Sequence, residues 1–134
     1  MAETKSKGDL GESMVIADLL RKGYKVAIPL GEDWKFDIIA LINGELKRIQ
    51  CKYVEEKNGV ISIPCRSCNG RLNYKYTEKD FDWLSCYDST NDKCYYIPSS
   101  LLGESGRTYI NLRLRSTKNN QNKNILWASD YTEL

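Results

Sequence analysis

Asn43-Gly44 constrains this chain more than any other pair of residues. A type I′ turn needs positive φ at both central positions, and Asn-Gly supplies it between two strands more readily than any other dipeptide. Here it separates the two apolar runs of WKFDIIALINGELKRIQCKYV, residues 34–54. A two-residue loop makes Ile42 face Glu45 and Asp37 face Gln50. Opposed residues point to the same side of a sheet, with Cβ atoms about 4.5–5.5 Å apart. Alternation then puts Lys52 on that side as well. A carboxylate, an amide oxygen and an ammonium thus converge within otherwise apolar strands. Burying such groups without partners is costly, so they either bond one another or hold a metal and a substrate. A loop longer or shorter by one residue would flip the pairing and dissolve the cluster.

The flanking pattern supplies the other elements. Residues 8–23 read as a helix that Ser6 or Asp9 could cap and Gly23 would stop. Glu12, Val15, Ile16 and Leu19 share one face, so Glu12 is either a site acid beside the apolar stripe or a first-turn surface glutamate. Tyr24–Ile28 is a short strand ended by Pro29, and Leu30–Lys35 is a loop. Asn58-Gly59 predicts a second turn, followed by a strand at Val60–Ile63. Cys65–Tyr76 lacks a period and reads as a basic loop whose Arg66, Arg71 and Lys75 are candidate contacts to a nucleic acid; Thr77–Asp80 begins a short helical turn. Phe81–Tyr87 and Cys94–Ile97 are paired strands joined by a polar turn. In Arg107–Arg115, Thr108, Ile110, Leu112 and Leu114 form an apolar side. The tail from Ile125 packs Leu126 and Trp127 back on the body. No repeat or linker divides the chain, which reads as one domain over 1–134.

Composition narrows the chemistry. The chain contains no histidine, which removes Ser-His and Cys-His catalysis and imidazole-ligated zinc. Its five cysteines are an odd number for a disulfide framework. Cys65 and Cys68 have the spacing of half a zinc site, without a second pair or a histidine to complete it, so free thiols are expected. Cys51, Cys86 and Cys94 fall in strands and read as small buried hydrophobes. No apolar run approaches the ~18 residues of a membrane span and no secretory h-region opens the chain, so a cytoplasmic location without membrane attachment is expected.

A net charge of +2 does not by itself imply a polyanionic partner; placement matters more. Arg107, Tyr109, Asn111, Arg113 and Arg115 alternate on the polar side of one strand, and the amide-rich stretch containing Lys118 and Lys123 follows. Such a face has donors for phosphates and base edges. It reads as a ribbon and loop reaching into a DNA groove, or as a solvated strand with a flexible hairpin loop.

A helix glutamate, a strand aspartate and Gln-x-Lys on the partner strand suit metal-dependent phosphodiester hydrolysis. Oxygens of Glu12, Asp37, the Gln50 side chain and the Cys51 backbone carbonyl suit Mg²⁺, with Mn²⁺ as an alternative. Such an ion acidifies an attacking water, and Lys52 can offset charge that builds in the transition state.

Lys7-Gly8-Asp9-Leu10-Gly11-Glu12, Phe36-Asp37-Ile38 and Ile49-Gln50-Cys51-Lys52 together resemble the PD-(D/E)XK nuclease superfamily. Within it the chain is similar to the small homing endonucleases of group I introns, which share the glycine–glutamate opening, the Gln-x-Lys variant and a downstream Tyr-Tyr-Ile-Pro, here Tyr95–Pro98. The resemblance implies an α/β restriction-endonuclease-like core, a mixed central β-sheet flanked by helices, which strands from the C-terminal half are expected to extend. It also implies Mg²⁺-dependent cleavage of double-stranded DNA by Glu12, Asp37, Gln50 and Lys52, with Lys7 among the DNA-contacting cations. A homo-oligomer, dimer or tetramer, follows, because one such site cuts one strand and symmetry supplies the second. One departure stands out: most of the superfamily carries an acid where this chain has Gln50. The readings carried forward are a site-specific duplex endonuclease, a Holliday junction resolvase of the same fold, and a degenerate DNA-binding module without catalysis.

Overall fold

A computed structural model describes residues 4–69, 72–116 and 124–134. The helix α1 spans Thr4–Arg21, beginning four residues before the sequence expectation, so Ser6 and Asp9 lie inside it rather than capping it. Its stop is as expected. Gly23 adopts φ 90°, its N–H bonds the Leu20 carbonyl and the Tyr24 N–H bonds Leu19. This is the Schellman arrangement that favours glycine one residue past the cap. The buried face is Gly11, Val15 and Leu19, successive positions four residues apart.

The strands are β1 (Lys25–Ala27), β2 (Ile38–Ile42), β3 (Glu45–Val54), β4 (Val60–Pro64), β5 (Arg66–Asn69), β6 (Leu72–Lys75), β7 (Trp83–Asp88), β8 (Lys93–Pro98), β9 (Tyr109–Arg113) and β10 (Leu126–Trp127). Five of them form a central sheet in the order β1-β2-β3-β7-β8. Only the β3–β7 contact within it is parallel, so the sheet is mixed. Asn43 and Gly44 take φ 51° and 81°, and the ladder runs from Ile42↔Glu45 to Ile38↔Ile49, the register that the two-residue turn dictates. Asn58-Gly59 repeats the device before β4, with φ 53° and 80°.

Three expectations change. Cys65–Tyr76 is not a loop: β5 and β6 pair antiparallel, Arg66 opposite Lys75. The two strands form a sheet of their own, and among their described side chains Arg66, Asn73, Tyr74 and Lys75 are exposed, so none of these reports a core-facing period. The strand of the RTYINLRLR segment does not extend the central sheet either. It forms a separate sheet, β10-β9-β4, with Ile110 and Leu112 buried and Tyr109 and Asn111 exposed. Residues 77–80 form a turn rather than a helical start, because the Asp80 carboxylate accepts the Thr77 N–H at 2.8 Å.

Two cores result. Helix α1 closes one face of the central sheet over Val15, Leu19, Ile38, Ala40, Ile42, Ile49 and Tyr96. The small sheet closes the opposite face over Ile61, Ile63, Phe81, Leu84, Ile97, Ile110 and Leu112. Cys51, Cys65, Cys86 and Cys94 are free thiols. Within β3, Arg48 is clamped to Asp82, which accepts its backbone N–H at 2.8 Å and its guanidinium at 3.3 Å; the clamp fixes the entry of β7 beside β3.

Candidate active site

The end of β2 is where the regular ladder stops. The Asp37 N–H bonds the Ile49 carbonyl at 2.9 Å, although Ile49 is already the partner of Ile38. Asp37 and Gln50 are therefore not a ladder pair, which corrects the sequence expectation. The Asp37 carboxylate instead accepts the Cys51 N–H at 3.0 Å, filling the role that a continuing strand's carbonyl would have had. A strand residue directs its N–H and C=O to the same edge, so the Cys51 carbonyl lies on the Asp37 side of β3. Aspartate and Gln-Cys-Lys are joined after all, through a side chain rather than through the ladder.

Glu12 approaches from α1. It is partly buried, and its carboxyl is held above the ordinary range, first by burial, then by the charges of Asp37 and Asp9. Asp37 is also raised: burial outweighs the opposing effects of the Cys51 N–H and the Lys52 charge. The Asp37 charge is thus felt at Glu12 and the Lys52 charge at Asp37, so the three stand near one another. Glu12 and Asp37 line a cleft of about 180 Å³, walled by Ile28, Pro29, Trp34 and Phe36 from the loop before β2. That loop is braced by a Trp34 indole N–H to Leu30 carbonyl bond of 2.8 Å and an edge-on Trp34–Phe36 contact.

Gln50 is only 6% exposed and donates from Nε2 to the Lys35 carbonyl at 2.9 Å and to the Tyr76 hydroxyl at 3.0 Å. Lys52 donates to the Arg66 carbonyl at 2.9 Å, with its ammonium 5.4 Å from the centre of the Tyr76 ring. Tyr76, missed from the sequence, thus touches both members of Gln-x-Lys. Its hydroxyl is raised first by burial, against a lowering hydrogen bond with Ser67. No spacing rule could have found it, since it meets Gln50 across 26 residues of chain.

The donor set fits a hard divalent cation. Two part-buried carboxylates, Glu12 disfavoured further by the charge of Asp37, would be relieved by one, and uncharged oxygens of Cys51 and Gln50 stand in the same stretch. Among the described residues no group of three or more His, Cys, Asp or Glu side chains could hold a metal, so neutral oxygens would have to complete the shell. Cys65 is buried, and the side chain of Cys68 lies outside the described residues.

The predicted DNA face is continuous with a groove of about 530 Å³ lined by Lys7, Tyr53, Lys57, Ser62, Tyr109 and Asn111. Ser62 stands opposite Asn111 and Val60 opposite Arg113, so Tyr109, Asn111 and Arg113 share the outer side of the small sheet. Lys7 pairs with Glu55 at 3.6 Å. Arg115 pairs with Glu56 at 3.1 Å, which ties it down at the turn after β9. Arg66, Lys75 and Arg107 are exposed, and Arg107 lines a neighbouring cleft with Asn111. Arg71, Lys118 and Lys123 lie outside the described residues.

The sequence model of PD-(D/E)XK endonucleases matches residues 2–134. The chain belongs to the PD-(D/E)XK endonuclease family. It is also similar to a solved bacterial homing endonuclease, I-Ssp6803I, at 26% identity and a TM-score of 0.73, over 97% of this chain and 88% of that one. No curated protein matches it. The mixed sheet and its helix are therefore a restriction-endonuclease-like fold, and the chain is a nuclease of PD-(D/E)XK type. Nucleases of this family use divalent metals as a rule. No helix among the described residues is long and apolar enough to cross a membrane.

Proposed function

We propose that this protein is a Mg²⁺-dependent endonuclease that hydrolyses phosphodiester bonds at a specific site in duplex DNA, in the manner of a homing endonuclease. The observation that carries the reading is the Asp37–Cys51 hydrogen bond, which sets the strand aspartate beside Gln50-Cys51-Lys52 and within electrostatic reach of Glu12. Glu12, Asp37, Gln50 and the Cys51 carbonyl would hold Mg²⁺, or Mn²⁺ in its place. A bound ion of this kind polarises a phosphoryl oxygen and acidifies a water molecule.

The chain's own residues do the rest. The Cys51 N–H fixes one Asp37 oxygen and leaves the other free to bind. Lys52 supplies a positive charge where the pentavalent transition state gains negative charge. Tyr109, Asn111 and Arg113, with Lys7 across the groove, supply donors to phosphates and base edges. Asparagine among arginines on one ribbon favours sequence readout over the broad phosphate binding that a junction resolvase needs. The protein would act as a single domain in the cytoplasm, as a dimer or tetramer whose symmetry provides the second cut.

The test is cleavage of a randomised duplex library in Mg²⁺, with a four-way junction alongside, comparing wild type with Lys52→Ala. Discrete cuts at one recovered sequence are expected, reduced by a factor on the order of 10² or more in the variant. Cleavage confined to the junction, cleavage that persists in chelator, or no cleavage in either Mg²⁺ or Mn²⁺ would each reject the reading.

A further inference from the structure

The family's name puts aspartate or glutamate where this chain has Gln50, and a lost acid is the usual mark of a decaying metal site. The surroundings of Gln50 say otherwise. A backbone carbonyl can only accept a hydrogen bond. The Lys35 carbonyl, 2.9 Å away, therefore requires the nitrogen end of the amide and leaves no freedom to exchange nitrogen for oxygen. The second Nε2 proton goes to the Tyr76 hydroxyl at 3.0 Å. Tyr76 is itself 4% exposed and packed edge-on against Phe81, ring centres 5.2 Å apart. Both donors of the amide are thus spent on fixed partners, whereas Oε1 accepts no hydrogen bond among the described residues. A carboxylate in this place would set oxygen against the Lys35 carbonyl with no proton between them.

We propose that Tyr76 and the Lys35 carbonyl are positioning groups that lock the Gln50 amide with its oxygen presented for metal binding, so that glutamine is required at this position and the family's acid would not serve. The inference rests on the reading of Gln50 as an oxygen ligand given above. Sequence supports the lock from both ends: Lys35 stands two residues before Asp37, so the loop that delivers the aspartate also delivers the carbonyl. Tyr76 closes the β5–β6 hairpin, where its N–H bonds the Cys65 carbonyl at 3.0 Å. The site's neutral oxygen is built by three separate segments, which is more than chance loss of an acid would leave behind.

The test begins with the full-length protein in the absence of metal. The Gln50 side-chain amide signal, assigned by its loss in Gln50→Ala, should exchange its protons with water at least about tenfold more slowly than exposed amides. Tyr76→Phe keeps the ring and removes the hydroxyl. It should return that exchange towards the exposed rate and weaken Mn²⁺ affinity by titration calorimetry on the order of tenfold. Gln50→Glu should bind Mn²⁺ no more tightly than wild type despite its added charge. Free exchange in wild type, unchanged exchange and affinity in Tyr76→Phe, or tighter Mn²⁺ binding with undiminished cleavage in Gln50→Glu would each overturn the proposal. If Tyr76→Phe does not fold, wild-type exchange and Gln50→Glu still decide it. Gln50→Ala separates the two levels: wild-type Mn²⁺ affinity there removes the ligand reading itself. Lost affinity there with an unaffected Tyr76→Phe removes only the lock.

Discussion

Gly11→Ala probes the packing that delivers Glu12. A Cβ built on Gly11 would stand 3.1 Å from Tyr53 Cβ, 3.3 Å from its Cα and 3.4 Å from its nitrogen. Non-bonded carbons prefer about 3.5–4.0 Å, so the nearest pair falls short by roughly 0.4–0.9 Å. Tyr53 cannot yield, because it is paired with Tyr87 inside the central sheet and two of the atoms approached are backbone. The helix must lift instead, and Glu12, the next residue, lifts with it. Overpacking of this kind costs about 1–3 kcal/mol, offset by about 1 kcal/mol from replacing a helical glycine with alanine. The net loss is then roughly 0–2 kcal/mol, a fall in Tm of at most about 10 °C. Activity should suffer out of proportion, by about tenfold or more, since displacements near 1 Å cost on the order of 10² in rate. Gly8→Ala is the control. Nothing lies within 4 Å of its Cβ, so it should raise Tm by a few degrees on the same propensity scale and leave cleavage intact. Thermal melts by circular dichroism and cleavage rates in Mg²⁺ measure both. A Gly11→Ala protein that melts higher and cuts at the wild-type rate would refute the idea that this contact sets the position of Glu12.

Two further outcomes are expected. Asp37 is held above its ordinary value chiefly by burial, so its contribution to stability is full below the unfolded value of about 3.9 and is lost as pH rises through the folded one. Asp37→Asn keeps an acceptor for the Cys51 N–H and removes the charge. In chelator its Tm relative to wild type should therefore increase between pH 3.5 and 7, while Mn²⁺ binding disappears; a relative Tm that falls with pH would contradict the assignment. Arg113→Ala, on the outer side of β9, should weaken binding to duplex DNA and lower the slope of log affinity against log salt by about 1. An unchanged salt slope in fluorescence anisotropy would take this strand out of the interface.

The hairpin was legible because its cause is local. Positive φ at Asn43 and Gly44 is a property of two adjacent residues, and from it follow the register of β2 and β3 and the shared side of Gln50 and Lys52. The Schellman stop at Gly23 and the apolar face of β9 were equally local, one set by backbone freedom and the other by alternation. What failed lacked such a cause. The β5–β6 hairpin is a sheet of its own whose described side chains are mostly exposed, so they carry no core-facing period. The sheet to which β9 belongs depends on pairing with Val60–Pro64, which no pattern within residues 107–115 encodes. The site divides the same way: one turn grouped Asp37, Gln50 and Lys52 on paper, but through an Asp37–Gln50 pairing that gives way to the bond from the Cys51 N–H to the Asp37 carboxylate.

The amino-acid sequence by itself determined that this chain carries a helix glutamate, a hairpin aspartate and a Gln-x-Lys strand, because turn chemistry and side-chain alternation act over a few residues. Only the tertiary structure decided how these groups are used. The Asp37 carboxylate takes the Cys51 N–H where the ladder ends, Gly11 lets the helix close on Tyr53, and Tyr76 reaches Gln50 from 26 residues away. Each of these is a long-range contact fixed by packing, and packing depends on the whole chain at once.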